Sequence, residues 1–177
     1  RIYGMDTTPT FWTVDVNQNV QIEPENGDFV KMYMGMRRGG SNIYALDITG
    51  TSKEAPGAYP KLMWVINGNT PGEFERLGQT WSSPLPTNVN LKGAKKTVLL
   101  FGGGYHDSQD KNFSTTESQP GGGNAIFMVD AETGQRLWWA SNDSKADLVL
   151  PDMKYPIPSD LLLKDTDGDD RTDRIYV

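Results

Sequence analysis

A sequence that nearly repeats itself after 75 residues can fold only into copies of one structural unit, and that period is the strongest constraint in this chain. The run Lys61-Leu62-Met63-Trp64-Val65-Ile66-Asn67 aligns with Arg136-Leu137-Trp138-Trp139-Ala140-Ser141-Asn142 at an offset of 75. Thr8-Pro9 aligns with Ser83-Pro84 at the same offset, and Ile157-Pro158 follows 74 residues later. A further pair, Gly40-Ser41-Asn42-Ile43-Tyr44-Ala45-Leu46-Asp47 with Gly122-Gly123-Asn124-Ala125-Ile126-Phe127-Met128-Val129-Asp130, is offset by 83 at its aspartate. A longer loop over 105–119 accounts for the extra residues, and the long turn over 49–60 restores the register.

Each unit reads as four short strands, rich in Val, Ile, Leu and aromatics and bounded by Gly, Pro, Asn or Asp. In the second unit they are expected at 80–90, 96–101, 125–129 and 136–140, and no stretch of helical length shows a 3.6-residue period. The expectation is an all-β, quinoprotein-like β-propeller. The chain would supply one partial domain over 1–177, with blade-like repeats at about 8–67 and 83–142 and a third unit from about 155. The period exceeds the roughly 40–50 residues of common propeller repeats, so the extra length goes into loops, where binding functions gather. The chain opens on Arg1 and stops within a strand-like run, Arg174-Ile175-Tyr176-Val177, so both ends are expected to be cut from something longer. In Asp130-Ala131-Glu132-Thr133-Gly134 the aspartate caps a turn and Gly134 supplies a positive φ. Trp138-Trp139 sets one ring on each face of a sheet, read as packing between blades rather than as a stacking platform.

The net charge is −6, which argues against nucleic acid, and no apolar run is long enough to cross a bilayer. The absence of cysteine removes disulfides, thiolate nucleophiles and cysteine–zinc sites. The acid is concentrated: nine of the 23 acidic residues, all Asp, fall between Ser141 and Val177. Such clusters suit a hard cation.

The densest run is Asp165-Thr166-Asp167-Gly168-Asp169-Asp170-Arg171-Thr172-Asp173. Oxygen side chains stand at positions 1, 3, 5 and 9 of a loop, the alternation that turns carboxylates toward a shared Ca²⁺. Asp165, Asp167, Asp169 and Asp173 are the expected ligands, with the carbonyl of Arg171 at position 7. Position 6 of such loops usually holds Gly and here holds Asp170, which tolerates a left-handed backbone better than most residues. Position 12 is Tyr176, so a helical EF-hand is not expected. The competing reading is a solvated acidic turn. Asp15-Val16-Asn17-Gln18-Asn19 is a weaker echo in the first unit, read as lacking the later carboxylates, and Asn88-Val89-Asn90-Leu91-Lys92-Gly93 stands in the second; both are read first as ion-free, with an ion at Asp15 and Asn19 as the lesser alternative. Gly102-Gly103-Gly104 and Gly121-Gly122-Gly123 lack the Lys-Ser/Thr of a phosphate loop and read as strand-end hinges. His106, followed by Asp107, has no serine elbow to serve, and no catalytic residue is expected. Arg37-Arg38 beside Gly39-Gly40 reads first as surface charge and second as an anion contact.

The run Met36-Arg37-Arg38-Gly39-Gly40 leading to Tyr44-Ala45-Leu46-Asp47, the segment Trp81-Ser82-Ser83-Pro84, and the acidic loop running into Arg174-Ile175-Tyr176-Val177 together resemble the PilC/PilY-type β-propeller. The resemblance implies a type IV pilus biogenesis and adhesion protein at the periplasm, pilus tip or cell surface of a Gram-negative bacterium. Its expected partners are pilins or minor pilins and a host surface receptor, and calcium at the acidic loop would govern pilus extension and retraction. The run from Val129 to Trp138 also resembles repeats of quinoprotein dehydrogenases, which hold pyrroloquinoline quinone; the catalytic Asp and cofactor ligands of those enzymes are not identifiable here. A third reading is a plain structural scaffold stapled by calcium.

Overall fold

The computed structural model describes residues 3–50, 60–68, 70–106 and 122–177. Most of the expected long loop after Tyr105 and of the long turn after Thr49, with Asp107 and Gly121, lies outside the described residues. The fold is all-β. Strands β1 (Thr10–Val14), β2 (Phe29–Met34), β3 (Asn42–Asp47) and β4 (Lys61–Asn67) form one antiparallel sheet in chain order. Strands β5 (Leu85–Leu91), β6 (Ala94–Gly102), β7 (Ala125–Asp130) and β8 (Arg136–Ser141) form a second in the same way. A hairpin of β10 (Leu162–Lys164) and β11 (Arg174–Tyr176) follows.

Two details differ from expectation. The strand expected from 80 begins only at Leu85, because 79–84 is spent crossing from one sheet to the next. A short fifth strand, β9 (Leu148–Val149), adds parallel to β8.

The second sheet is the middle layer, which explains why its strands are apolar on both faces. In β7, Ala125, Phe127 and Val129 pack toward the first sheet, against Tyr33, Ile43, Ala45 and Ile66. Ile126 and Met128 face the opposite way, with Val98, Leu100, Ile157 and Leu161. Continuous apolar runs are what a strand covered on both sides requires. Residues of the first sheet join only the core it shares with the second, so Phe11 and Leu62 remain 51% and 60% exposed.

The pairing register shows which residues are equivalent between units. Thr10 pairs Tyr33 as Leu85 pairs Leu100, and β3 and β7 carry register shifts at Ala45/Leu46 and Met128/Val129. Ala45 pairs Trp64 where Met128 pairs Trp138, so the counterpart of Trp64 is Trp138, one residue short of the sequence alignment with Trp139. A one-residue slip exchanges the faces of a strand. Trp64 and Trp138 therefore both point toward the following unit, while Trp139 points back and stacks on Phe127 at 6.1 Å.

Each unit is also closed on itself by a hydroxyl. Thr7 Oγ1 accepts the Gly35 N–H at 2.8 Å, and Ser82 Oγ, 75 residues on, accepts that of Gly102 at 2.9 Å. The glycine runs are sites of close backbone approach rather than free hinges. A Cβ on Gly104 would stand 2.0 Å from the Gln79 carbonyl oxygen, and one on Gly103 would stand 2.5 Å from that of Gly123.

Candidate metal centre

The acidic loop joins β10 to β11, beyond the pair Lys164–Arg174. It is folded by its own carboxylates. Asp165 Oδ1 accepts the N–H groups of Asp167 (3.2 Å) and Gly168 (2.7 Å), and its Oδ2 accepts that of Asp170 (2.9 Å). Asp167 Oδ1 accepts from Asp169 N–H at 3.2 Å. Asp173 closes the loop, taking the Thr166 N–H at 2.8 Å and hydroxyl at 2.6 Å. Left-handed φ values at Gly168 (84°) and Asp170 (61°) curl the chain around Asp165. The unusual Asp at position 6 thus takes up the conformation that glycine normally supplies there.

This curl brings one oxygen each from Asp165, Asp167 and Asp173 within 4.8 Å of one another, all exposed. The backbone N–H of Gly168, followed by those of Asp170 and Asp167, holds the Asp165 carboxyl below the usual aspartate range. The hydroxyl and then the N–H of Thr166 do the same for Asp173. Both groups are therefore kept anionic, the form a hard cation takes up.

Asp169 stands apart from this set: its Oδ2 accepts from the Arg171 guanidinium at 2.7 Å, and the Arg171 Nε is buried without a partner. Asp170 turns toward the second sheet, where Lys95 Nζ (2.5 Å) and Asn88 Nδ2 (3.1 Å) hold it. Two more bonds tie the loop to that sheet, Thr172 N–H to the Asn88 carbonyl and the Thr87–Thr172 hydroxyl pair, both at 2.7 Å. The β5–β6 hairpin is therefore physically continuous with the acidic loop.

The first unit folds the same loop. Asp15, two repeat lengths before Asp165, accepts the Val20 N–H as Asp165 accepts that of Asp170, and Gln18 and Val20 share the left-handed φ of Gly168 and Asp170. Later carboxylates do exist here, contrary to the sequence reading. Asp28, just before β2, accepts the Val16 N–H at 2.8 Å where Asp173 accepts that of Thr166. Glu23, the ninth residue from Asp15, lies at the centre. Its Oε2 accepts from the side-chain amides of Asn17 (2.9 Å), Asn19 (2.9 Å) and Asn26 (3.0 Å), which depress its pKa in that order. Counting nine residues from Asp15 would have found Glu23; nothing in the spacing marks Asp28, because the loop is longer. In the second unit the equivalent connection is the tight turn Lys92-Gly93, with both φ values positive and no carboxylate. His106 is half-buried beside Gly122, whose Cβ would stand 3.1 Å from the imidazole Cδ2.

The architecture defines a class: an all-β protein of successive antiparallel meanders stacked face to face. A crystal structure of the Pseudomonas aeruginosa PilY1 C-terminal domain has a similar fold, with a TM-score of 0.53 and 22% sequence identity over 97% of this chain. The chain spans 28% of the length of that structure. No protein-family model and no curated protein matches the sequence.

Proposed function

We propose that the chain is part of a calcium-binding β-propeller in a type IV pilus-associated protein, acting in pilus extension and retraction and in surface attachment. The observation that carries this reading is the fold likeness to the PilY1 C-terminal domain along nearly the whole chain. The stacking supports the propeller: the second sheet is covered on both faces, and a closed ring of such sheets would cover the outer face of the first. The chain acts by binding, outside the cytoplasm, with pilins or minor pilins and a host surface receptor as partners, and it catalyses no reaction.

Calcium would be held by Asp165, Asp167 and Asp173. Asp169 and the Arg171 carbonyl complete the set once the Asp169 carboxylate leaves the Arg171 guanidinium. The ion supplies neutralisation of the clustered charge. The residues around it supply transmission: Asp170, Thr172, Asn88 and Lys95 join the loop to the β5–β6 hairpin, so ordering the loop restrains a surface on the preceding unit.

Calorimetric titration with Ca²⁺ tests the centre. Binding is expected in the wild type, weakened in Asp169→Ala and lost in Asp165→Ala/Asp167→Ala. Equal binding in the double variant, or no heat at millimolar calcium, would remove calcium from the reading. Unchanged twitching motility in cells whose full-length protein carries the double substitution would remove the regulation while leaving the propeller.

A further inference from the structure

The turn at the far end of the first sheet carries a second feature, independent of the acidic loop. Arg37–Gly39 is a single 3-10 turn clamped from two sides. Thr80 Oγ1 accepts the Met36 N–H at 2.7 Å, the Thr80 carbonyl accepts the Arg37 N–H at 3.2 Å, and the Thr80 N–H reaches the Gly40 carbonyl at 3.2 Å. On the other side the chain presses so close that a Cβ on Gly39 would stand 2.1 Å from the Gly4 carbonyl oxygen. Arg37 is held at φ 47°, a conformation non-glycine residues seldom adopt.

The clamp sets both arginines over one indole. The guanidinium carbons of Arg37 and Arg38 lie 5.7 and 5.8 Å from the centroid of the Trp81 ring. Among the described residues neither forms an ion pair, although the protein is acidic and Arg76 and Arg171 each hold an aspartate. The Arg37 Nε is buried with no hydrogen-bond acceptor. Two donor-rich cations therefore stand side by side with no anion among the described residues, an arrangement that favours forked recognition of a planar carboxylate.

Beside them is a cavity of about 490 Å³ bounded by Arg38, Gln79, Trp81, Tyr105 and Pro158, with no acidic residue among them. Its size falls in the range of small-ligand sites. The backbone of this wall is already paired: Gln79 and Tyr105 exchange both N–H···O bonds (2.7 and 2.9 Å), and the Gly104 N–H bonds the Ile157 carbonyl at 2.9 Å. Among the described residues no strand edge is left here for an extended peptide to join, so recognition runs through side chains. The Gln79 amide oxygen accepts the Trp81 indole N–H at 3.2 Å, which leaves the amide nitrogen as a donor.

We propose that this pocket binds an acidic sugar residue of the uronic acid type. Arg38, which lines the cavity, takes the carboxylate with Arg37 adding its charge from the neighbouring position on Trp81, the rings of Trp81 and Tyr105 pack against the sugar's C–H face, and the Gln79 amide donates to a hydroxyl. The probe is D-glucuronate, titrated into the full chain by ligand-observed NMR, with glucose as the ring without the charge and acetate as the charge without the ring. Saturable glucuronate binding is expected, with glucose and acetate each about tenfold weaker or more. Arg38→Gln, on an exposed side chain, should weaken glucuronate binding about tenfold while leaving the melting temperature and calcium binding unchanged. Arg37→Gln should do the same, and the Arg38 variant keeps the test valid if the clamped turn does not tolerate the change at Arg37. Absent binding, equal binding in Arg38→Gln, or acetate binding as tightly as glucuronate would each overturn the assignment.

Discussion

Replacing Thr80 with valine isolates the hydroxyl's share in tying the crossing segment 79–84 to the first sheet. Thr80 is 1% exposed, and its hydroxyl accepts the Met36 N–H at 2.7 Å while lying 3.1 Å from the Asn42 carbonyl oxygen. Valine keeps the volume and branching, so no cavity opens. The change deletes the acceptor of a partly buried N–H and the donor to a carbonyl. Leaving a buried polar group unpaired costs about 1–3 kcal/mol, so the expected loss is about 2 kcal/mol. For a chain of 177 residues each kcal/mol lowers the melting temperature by about 2–4 °C, and Thr80→Val should fall by about 4–8 °C. Thr80→Ser retains the hydroxyl and removes one methyl group, worth about 0.8 kcal/mol, so it should be the milder change. The order of the two variants decides the matter, since simple hydrophobicity predicts the opposite. Differential scanning calorimetry of the three proteins would refute the reasoning if Thr80→Val melted at or above Thr80→Ser.

Two glycines with the same backbone twist should respond differently to alanine. Gly93 (φ 87°) opens on empty space and should lose only about 1 kcal/mol, whereas Gly104 (φ 83°) would drive its Cβ to 2.0 Å from the Gln79 carbonyl and should fail to fold or lose several times as much, as read by urea denaturation. In the first-unit loop the Glu23 carboxyl should titrate below ordinary glutamate, because the amides of Asn17, Asn19 and Asn26 favour its anion. A pKa depressed in the folded state contributes stability that is present at neutral pH and lost as the pH falls through the folded value. A carbon-detected NMR titration that placed Glu23 at or above the ordinary value, or an Asn19→Ala variant that failed to raise it, would contradict the hydrogen-bond pattern.

The same loop shows why two segments of one design differ chemically. In the third unit the carboxylates of Asp165, Asp167 and Asp173 converge, and mutual repulsion leaves room for a cation. In the first, asparagines stand at positions 3 and 5, and their amide donors surround Glu23. The carboxylate at the centre of that loop is thus satisfied by neutral side-chain donors from its own segment.

Composition and local pattern determined much of this protein by themselves. Short β-rich runs set between turn residues make it all-β, because the pattern of apolar runs and breakers is local. The alternation of Asp165, Asp167 and Asp169 announces a loop of inward-turned carboxylates, since that spacing is a property of the local backbone. The tertiary structure decided whatever depends on a distant partner. Pairing register, not residue similarity, matched Trp64 with Trp138 instead of Trp139. Arg171 took Asp169 out of the acidic cluster, and Lys95 drew Asp170 toward the neighbouring sheet across 75 residues of chain. Arg37 and Arg38 became a pair on Trp81 only because Thr80 carries that indole back to the first sheet. Local spacing can specify a loop's shape, but the charges and rings that complete a site come from whichever segments packing brings beside it, and sequence distance carries no record of that.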